Sequence, residues 1–586
     1  MLRDIFYELL SKYEFDFART IDVVYNELPN KDVVYDPVHG EITLSKELIY
    51  LLNFPIVERL AKIKQLALTY LRFIGATHTR LEHSLGVAYL LTNVTNDLDD
   101  NEKVLMNIAG LLHDIGHSGL GHALDGITGL FLGYLSRLEP KFVALPPNKL
   151  DMTIAAYLFK YNDQLAKAID ELAKIVFPNT VYNGVNLNEA GKFRDLLLSI
   201  ISEEKYGYKV FCQGWEPTRE VIDRMWYFQN LLGGKVNCDR LDWILRDAHH
   251  AFPRHSIADK VNELKNLIAQ LKVYQNTIGA DHSDLTIVER LHSDIRRELY
   301  TEVYESVARA FTDAFLIRMA YSVFHILSRI GEKIASPTIT TRVLLGYLLL
   351  PDDELFSYSE RILDEFILEN TSMLELDENY MEYILNTRTL KSTIFKNIRT
   401  TLSMLVHAID KFPSEDGIIT VGPILVGKIK YTVVVLTGRW LAKNPYSLAI
   451  GPFLYPYKGD VKAILAGTVS FFNSLRIDIQ SGLEIPKLEH RIRNFLRKKQ
   501  IRADAFVLAN YYFLRKLSDE DLQKVLTSID DFYRILDEKY NVTPIFFMVF
   551  TGDISVKYVR QVVDKVTNHF RRRLQNVLKS TYKKQS

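Results

Sequence analysis

The fold of this chain is decided by residues 103–125, which read KVLMNIAGLLHDIGHSGLGHALD. The first part of this stretch repeats apolar side chains at intervals of three and four, which is the period of a helix with one buried face. The helical period stops at His113 and Asp114, and glycines follow at positions 116, 119 and 121. Because closely spaced glycines allow the chain to bend sharply, this pattern predicts a compact helical unit with polar residues gathered at the bend.

The same helical period recurs on both sides, from about residue 44 to residue 335. Within that region, residues 258–335 predict two or more long amphipathic helices. Residues 417–438 are rich in Ile, Val and Thr with Gly and Pro between them, which favours strands. The C-terminal part predicts a helix that opens at Ser518, a buried strand over 542–550 and a final helix over 556–578. We therefore predict a mainly α protein, a helical bundle with a smaller C-terminal α/β region.

The composition excludes several classes of protein. Of the 586 residues, 72 are basic, 72 are acidic and 47% are hydrophobic, as in an ordinary globular protein rather than a disordered chain. Two cysteines, Cys212 and Cys238, are too few for a disulfide framework, so we expect a cytoplasmic protein. The N-terminus lacks the unbroken apolar segment of a secretory signal. The longest apolar runs are shorter than the ~18 residues that cross a bilayer, so we expect no membrane partner.

Five of the fifteen histidines lie between residues 78 and 122. An imidazole and an adjacent carboxylate are good ligands for a divalent transition metal, and His113 and Asp114 offer both at one helix end. His83 lies on the preceding helix, which antiparallel packing would bring alongside. Asp239 is the best candidate for a fourth ligand. Mixed nitrogen and oxygen ligands suit Mn, Fe, Co, Zn or Ni, with Mg at an accompanying phosphate, and they predict hydrolysis by a metal-activated water.

Other interpretations of these residues remain open from the pattern alone. A single His-Asp pair is common as a surface pair or a helix cap. Asp239 could instead form an ion pair with Arg240 or Arg246. His249 and His250 could be a solvated pair. The wider order of motifs along the chain separates these interpretations.

Three segments together closely resemble the HD-domain deoxynucleoside triphosphate triphosphohydrolases, the dGTPase-like family. The segments are DPVHGEITLSKELIYLLNFPIVERLAKIKQLALTYLRFIGATHTRLEHSLGV at 36–87, AGLLHDIGHSGLGHALDG at 109–126 and VNCDRLDWILRDAHH at 236–250. The resemblance runs from about residue 34 to residue 335, and it implies an HD-domain helical bundle that splits a dNTP into deoxynucleoside and inorganic triphosphate. In this family the motif H…HD…D binds the catalytic metal, and it maps onto His83, His113, Asp114 and Asp239.

The resemblance also assigns roles around the metal. His122 matches the family's catalytic histidine, a general acid on the leaving 5′ oxygen, and Asp125 would orient it. The residues that match contacts to the triphosphate are Arg80, His117, Arg240 and Arg296. The residues that match contacts near the sugar and the base are Gln65, Leu66, Trp243 and Asp247. Taken singly, each arginine could be a surface charge, and Leu66 and Trp243 could be core residues.

The chain departs from the family pattern at three places. No His-Glu pair follows the HD helix, where residues 146–158 read PPNKLDMTIAAYL. The family's Tyr-x-His-Lys run is YESV at 304–307, so two phosphate-binding cations are replaced. Residues 57–61 read VERLA instead of Phe-Gln-Arg-Leu-Arg, so we do not expect activation by dGTP there. A nucleoside monophosphate or another phosphoester is therefore an alternative substrate, and a catalytically weakened nucleotide- or nucleic-acid-binding scaffold is an alternative function.

We expect three regions along the chain. They are a phosphohydrolase domain over 1–340 with its motif core at 34–260, a linking helical and strand-containing region over 341–480, and a C-terminal α/β lobe over 481–586. The long helices predict a homo-oligomer that binds a nucleotide substrate. Basic residues around Phe495 and at Arg571–Arg573 predict weak single-stranded nucleic-acid binding, although solvated helix faces look the same.

Overall fold

The computed structural model of the chain covers its whole length and describes most of it. The described residues are 1–16, 23–94, 98–127, 130–134, 150–178, 181–182, 185–189, 191–202, 218–233, 237–252, 272–274, 277–279, 295–368, 378–393, 398–411, 416–426, 429–443, 466–471, 473–474, 484–510 and 543–585.

Helices dominate the described residues, as the apolar period predicts. In chain order they are α1 (Leu2–Ser11), α2 (Lys46–Leu52), α3 (Pro55–Glu58), α4 (Arg80–Val94), α5 (Asp100–Leu112), α6 (Leu150–Tyr161), α7 (Asp163–Val176), α8 (Lys192–Ile201), α9 (Arg219–Gly233), α10 (Cys238–Ala251), α11 (Arg296–Glu298), α12 (Val307–Ile334), α13 (Pro337–Leu348), α14 (Asp352–Leu368), α15 (Glu378–Thr393), α16 (Ile398–Lys411), α17 (Gly438–Leu441), α18 (Glu484–Lys498) and α19 (Val556–Gln585). The mainly α fold class predicted from the sequence is therefore confirmed.

The strands are fewer and pair antiparallel. In chain order they are β1 (Lys31–Asp36), β2 (Gly40–Ser45), β3 (Val181–Tyr182), β4 (Val185–Asn186), β5 (Lys272–Tyr274), β6 (Thr277–Gly279), β7 (Ile418–Val426), β8 (Ile429–Thr437), β9 (Ala503–Ala509) and β10 (Pro544–Gly552). β5 lies within residues 258–335, where we expected long amphipathic helices, so that prediction is wrong for residues 272–274. Val, Tyr, Thr and Ile are residue types that favour strands, and β5 pairs antiparallel with β6.

The chain forms two compact units. The first contains Met1–His122, Leu132–Val303 and Leu327–Tyr358, and the second contains Ala123–Phe131, Tyr304–Ile326 and Ser359–Ser586. The division at residues 340 and 480 that we expect from the sequence stays a prediction.

In the first unit, α4 and α5 pack closely and set the position of the polar residues that follow α5. α5 begins with a capping box, in which Asp99 accepts the backbone N–H of Glu102 and the Glu102 carboxylate accepts the N–H of Asp99. Gly110 permits the close approach of the two helices, because an added Cβ there would lie 2.8 Å from Cα of Ala88. The ends of α4 and α5 are therefore held next to each other.

The second unit contains a four-stranded antiparallel sheet with the order β7-β8-β10-β9. β10 is central and buried, with Val549 opposite Val433 on one side and Phe506 on the other. The strands predicted over 417–438 and 542–550 and the final helix are therefore confirmed. The helix predicted to open at Ser518 lies outside the described residues.

Among the described residues, α12 is the one helix that is long and apolar enough to cross a membrane by length and composition. In its most apolar 18-residue window, 83% of the residues are buried inside the protein. Because the core helix of a globular protein passes the same test, α12 does not indicate a membrane span.

Candidate metal and phosphate site

Three helix ends meet in the first unit and bring the four predicted metal ligands together. His83 lies in the first turn of α4, and His113 and Asp114 directly follow α5. Asp239 lies in the first turn of α10, where Asn237 caps the helix by accepting the N–H of Arg240. Each ligand is therefore positioned by the end of a helix.

The potential ligand atoms lie close to one another. One ligand atom each from His83, His113 and Asp114 falls within a group whose members lie within 4.8 Å of one another. Oδ1 of Asp239 lies 3.0 Å from Nε2 of His83 and 3.7 Å from Nε2 of His113. Oδ1 of Asp114 lies 3.4 Å from Nε2 of His113. Two imidazoles and two carboxylates thus converge on one volume.

Hydrogen bonds at Nδ1 of both imidazoles direct their Nε2 atoms toward the other ligands. Nδ1 of His113 donates to the carbonyl oxygen of Gly110 at 2.8 Å, and its buried Nε2 makes no hydrogen bond. Nδ1 of His83 lies 2.7 Å from Oδ2 of Asp242, which leaves Nε2 of His83 facing the other ligands. Burial alone would lower the pKa of His83, but its hydrogen bonds to Asp239 and Asp242 outweigh it and raise that pKa to about 10. A divalent transition ion would displace the proton of Nε2, and the neutral imidazoles with two carboxylates would then fit such an ion.

The charges of the site keep its carboxylates ionised. Burial alone would raise the pKa of Asp114, but the charges of His113 and Arg80 outweigh it and hold that pKa well below its usual range. Burial is likewise outweighed at Asp239, where the nearby imidazoles of His113 and His83 lower the pKa. Both carboxylates are therefore anionic at neutral pH.

A buried guanidinium lies beside the four converging side chains. Nη1 of Arg80 donates to Oδ2 of Asp114 at 2.6 Å, and its Nε and Nη2 are buried without a hydrogen-bond partner. Gly121 leaves room for Nη2, because an added Cβ there would lie 2.8 Å from it. A buried cation with two nitrogens that lack hydrogen-bond partners is expected to bind an anion.

A second buried arginine holds the loop that carries the HD pair. Arg59 donates through Nη1 to the carbonyl oxygen of His117 at 2.8 Å and through Nη2 to the carbonyl oxygen of Ile115. Burial, and then the nearby charge of Arg80, lower the pKa of Arg59 to about 9. These two arginines add positive charge around the loop.

The histidines after the HD pair lie on the same loop. Nε2 of His117 lies 3.3 Å from Oδ1 of Asp114 and 3.8 Å from Oδ2 of Asp151 on α6. Burial and the charge of Arg80 lower the pKa of His117. The exposed His122 packs edge-on against His117, with ring centroids 4.7 Å apart. The side chain of Asp125 lies outside the described residues.

Gln65 and Asp247, two of the residues predicted to contact sugar or base, are linked through His78. The backbone N–H of Gln65 donates to the carbonyl oxygen of His78 at 3.0 Å. Nε2 of His78 lies 2.7 Å from Oδ1 of Asp247, and both side chains are buried. Oε1 of Gln65 is buried without a hydrogen-bond partner. Leu66 is buried.

Trp243 and Arg296 both contact Tyr300. The ring of Trp243 lies edge-on to Tyr300 at 6.4 Å, and the Arg296 guanidinium lies 4.8 Å from the centroid of the same ring. Nε of Arg296 is buried without a hydrogen-bond partner. Arg240 is half-buried on the first turn of α10, next to Asp239.

The structure also gives contacts for Arg246, Asp239 and His250 of α10. Arg246 pairs with Asp242 at 2.9 Å and with Asp36 at 2.6 Å, while Asp239 contacts the two histidines. His249 is exposed, but His250 is half-buried and stacks on His78 at 4.5 Å.

Asp242, Asp151 and Arg59 contact the site residues although no role was predicted for them. Asp242 carried a signal in its spacing, because it lies between Asp239 and Arg246 on adjacent turns of α10. Asp151 is one acidic residue at the start of an otherwise apolar helix. Arg59 is one of many arginines in the chain, and its burial could not be predicted from its neighbours.

Comparison with known proteins agrees with this geometry. The family model described as HD domain matches residues 80–177, which include α4, α5 and the HD pair. The chain is 40% identical over 360 residues to the deoxynucleoside triphosphate triphosphohydrolase SAMHD1 of Bos taurus, covering 55% of each chain. It is 41% identical over 103 residues to SAMHD1 of Homo sapiens, covering 16% of each chain. The resemblance to this class of proteins found in the sequence is confirmed.

These matches cover only part of the relatives. The chain spans 17% of SAMHD1 from Danio rerio and about half of the bovine protein. A solved structure of a hypothetical protein from Aquifex aeolicus covers 69% of this chain and 85% of its own, with 20% identity and a TM-score of 0.37. That likeness is too low to inform the site.

Proposed function

We propose that this chain, whose HD domain is similar to that of the deoxynucleoside triphosphate triphosphohydrolases, is a metal-dependent hydrolase that splits a dNTP into deoxynucleoside and inorganic triphosphate. One observation carries the proposal: His83, His113, Asp114 and Asp239 converge beside the buried cation Arg80. Metal ligands next to an unsatisfied guanidinium suit a substrate that is a phosphate ester. The SAMHD1 relatives support a dNTP as that substrate.

The four converging side chains would hold a divalent ion such as Mn, Fe, Co, Zn or Ni, with Mg at the phosphates. When bound, such an ion supplies Lewis-acid chemistry, because it lowers the pKa of a water and offsets the charge of the phosphates. The protein contributes ionised carboxylates at Asp114 and Asp239. It also contributes imidazoles whose Nε2 atoms face the other ligands.

Arg80 is suited to a phosphate because two of its nitrogens are without a partner. A guanidinium meets two phosphate oxygens at once, so these donors would orient the α-phosphate toward the ion. His117 would add a further donor on the same loop. Arg240 and Arg296 would contact the outer phosphates, an assignment that rests on the resemblance.

Proton delivery to the leaving group is assigned to His122. Attack by water forms a phosphorus–oxygen bond at the α-phosphorus and breaks the bond to the 5′ oxygen, which must then gain a proton. His122 is exposed and rests against the ring of His117, so a substrate at Arg80 would lie next to it. Asp125 would orient His122. Gln65, Leu66, Trp243 and Asp247 would contact the sugar and the base.

The experiment is a product analysis with the purified full chain. Each dNTP and NTP is incubated with Mn²⁺ or Mg²⁺, and the products are separated by ion-exchange chromatography. We expect deoxynucleoside and intact triphosphate, with no turnover by Asp114→Asn. Asp170→Asn is the matched control, because Asp170 pairs with Arg194 and contacts none of the four ligands. Equal turnover by Asp114→Asn and the parent chain would refute the assignment.

A nucleoside monophosphate or another phosphoester is the second candidate substrate. One observation favours it: Ser306, where relatives carry a cation, accepts the N–H of Arg309 at 3.2 Å and so caps α12. Its hydroxyl therefore caps the helix and does not take the place of a phosphate-binding cation. Turnover of dNMPs but not dNTPs in the same chromatographic test would select this candidate. Turnover of neither would favour a binding scaffold.

Binding of single-stranded nucleic acid is proposed for α18 and α19 in the second unit. Nη1 of Arg491 lies 2.7 Å from Nδ1 of His569, and Nζ of Lys565 lies 4.7 Å from the ring centroid of Phe495. Cations next to an aromatic ring suit stacked bases and phosphates. Filter binding of an oligonucleotide at rising salt tests it, and retention that does not depend on salt would refute it.

A homo-oligomer and a cytoplasmic location are further proposals. The first rests on the long helices, of which α12 is mostly buried within its own chain. Light scattering tests it, because a mass of 67.7 kDa would identify a monomer. The proposed cytoplasmic location rests on the low cysteine content and is tested by fractionation of cells.

A further inference from the structure

We propose that Asp242 is the positioning residue of the metal site. Its buried carboxylate holds His83 in the tautomer that presents Nε2 to an ion, and it joins His83 to His39 and Arg246. The inference rests on the metal site proposed above and adds to it a residue that has no role in the H…HD…D motif.

The Asp242 carboxylate is surrounded by four donors. Oδ2 lies 2.7 Å from Nδ1 of His83 and accepts Nε of Arg246 at 2.9 Å. Oδ1 lies 2.6 Å from Nε2 of His39 and accepts Nη2 of Arg246 at 3.0 Å. The side chain has no exposed surface. A carboxylate has about four lone-pair positions, so its accepting capacity is fully used.

This arrangement decides which nitrogen of His83 carries the proton. An ionised carboxylate only accepts hydrogen bonds, so His83 must donate through Nδ1. Nε2 lies 3.0 Å from Oδ1 of Asp239, among the other ligands, so a bound ion would displace the proton of Nε2 and meet its lone pair while Nδ1 keeps its hydrogen bond to Asp242. A ligand histidine held by a second carboxylate is also a more basic ligand.

The same network ties α10 to the turn that follows β1. Nη1 of Arg246 donates to Oδ2 of Asp36 at 2.6 Å. Oδ1 of Asp36 accepts the backbone N–H groups of Val38 and His39 at 2.8 Å each. Because His39 then contacts Asp242, the turn and the metal-site helix form one closed set of hydrogen bonds.

Gly86 on α4 supplies independent evidence that the position of Asp242 is tightly constrained. An added Cβ at Gly86 would lie 1.9 Å from Oδ1 of Asp242 and 2.5 Å from Nη2 of Arg246. Gly86 is three residues after His83, so it lies on the same face of α4. The helix that carries His83 thus has space for this carboxylate only because residue 86 has no side chain.

The alternative is that Asp242 and Arg246 are a buried ion pair that only stabilises the fold. Such a pair would change the stability of the metal-free chain and would leave metal affinity unchanged. A positioning residue changes the affinity itself, because the loss of such an outer contact typically weakens metal binding by about 10- to 100-fold.

The test measures the dissociation constant for Mn²⁺ by electron paramagnetic resonance of the free ion. The full chain, Asp242→Asn and the control Asp170→Asn are compared, each shown to be folded by circular dichroism. The amide of Asn cannot accept from all four donors, so we expect the dissociation constant of Asp242→Asn to rise by about 10-fold or more. Asp170→Asn, which also loses a bidentate arginine pair, should bind Mn²⁺ as the parent does.

An unchanged dissociation constant in folded Asp242→Asn would overturn the inference while leaving the metal site intact. Absence of Mn²⁺ binding by the parent chain would refute the metal site itself, so the two failures are distinguishable. If Asp242→Asn does not fold, the parent chain is loaded with Zn²⁺ and its ¹⁵N-histidine spectrum recorded, with His83→Gln to assign the signal. A proton on Nδ1 of His83 supports the inference, and a proton-free Nδ1 overturns it.

Discussion

Nη1 of Arg80 lies 2.6 Å from Oδ2 of Asp114, and both side chains are buried. The aspartate assigned to the metal is therefore also held by a guanidinium whose Nε and Nη2 have no hydrogen-bond partner. One arginine can thus orient a ligand carboxylate and bind a phosphate at the same time. This relationship explains how a chain that lacks the His-Lys pair of its relatives could still hold a phosphoester.

Arg80→Lys should weaken substrate binding without removing the metal. Lysine keeps the charge next to Asp114 but loses the planar fork that matches two phosphate oxygens. We expect KM for the dNTP to rise by about 10- to 100-fold, which corresponds to the loss of a charge-assisted hydrogen bond of about 1.5–3 kcal/mol. Steady-state kinetics measure it, and Arg72→Lys at an exposed arginine is the control. An unchanged KM would show that Arg80 does not contact the substrate.

Gly116→Ala should disturb the HD loop. An added Cβ would lie 1.9 Å from the carbonyl oxygen of Asp151 and 2.6 Å from the backbone nitrogen of Ala155. Backbone atoms of a helix cannot rotate away, so we expect a loss of stability of about 1–3 kcal/mol or more. Thermal denaturation measures it. Gly133→Ala is the control because its Cβ would meet no atom within 4 Å, and equal melting temperatures for the two variants would contradict the prediction.

Glu489→Gln should destabilise the second unit strongly. Arg318 and Glu489 form a fully buried pair, with Nη1 2.5 Å from Oε2 and Nη2 3.1 Å from Oε1. Removal of one charge leaves the other buried without its counter-charge, at a cost of about 3–5 kcal/mol. The exposed pair Arg329–Glu332 is the control, since Glu332→Gln should cost less than about 1 kcal/mol. Urea denaturation compares the two, and similar costs would contradict the assignment.

Protonation of Glu484 at acidic pH should make the second unit less stable. Burial alone would raise the pKa of Glu484, but the hydrogen bond from His569 and the charge of Arg573 outweigh it and lower this pKa. A carboxyl whose pKa is lower in the folded state stabilises the fold above its unfolded pKa of about 4.3. That contribution is lost as the pH falls through the folded pKa.

The measurement is urea denaturation of the parent chain and Glu484→Gln from pH 7 to pH 3. The parent should be more stable at pH 7, and the difference should shrink as the pH falls below about 4. A difference that stays constant over this range would contradict the lowered pKa. Glu58→Gln, at an exposed glutamate on α3, is the control and should show little difference at any pH.

The convergence of the four proposed metal ligands could be predicted because each lies at a helix end marked by its own sequence signals. His113 and Asp114 end an apolar helix before a glycine-rich bend, and Asp239 follows the capping residue Asn237. The network of Asp242 could not be predicted, because its partner His39 lies 203 residues away. Spacing along the chain does not tell which carboxylate faces which imidazole.

The C-terminal sheet could also be predicted only in part. β7, β8 and β10 could be predicted from runs of β-branched and aromatic residues. The order β7-β8-β10-β9 could not, because β10 is buried on both faces and its pattern does not select its neighbours. β9 was not predicted at all, since Ala503–Ala509 contains three alanines and has little strand preference.

The most direct test of the central claim follows the oxygen of the attacking water. The full chain is incubated with a dNTP and Mn²⁺ in H₂¹⁸O, and both products are analysed by mass spectrometry. Attack on the α-phosphorus with loss of the 5′ oxygen predicts that ¹⁸O appears in inorganic triphosphate and that the deoxynucleoside carries none. Label in the deoxynucleoside, or products other than these two, would contradict the account.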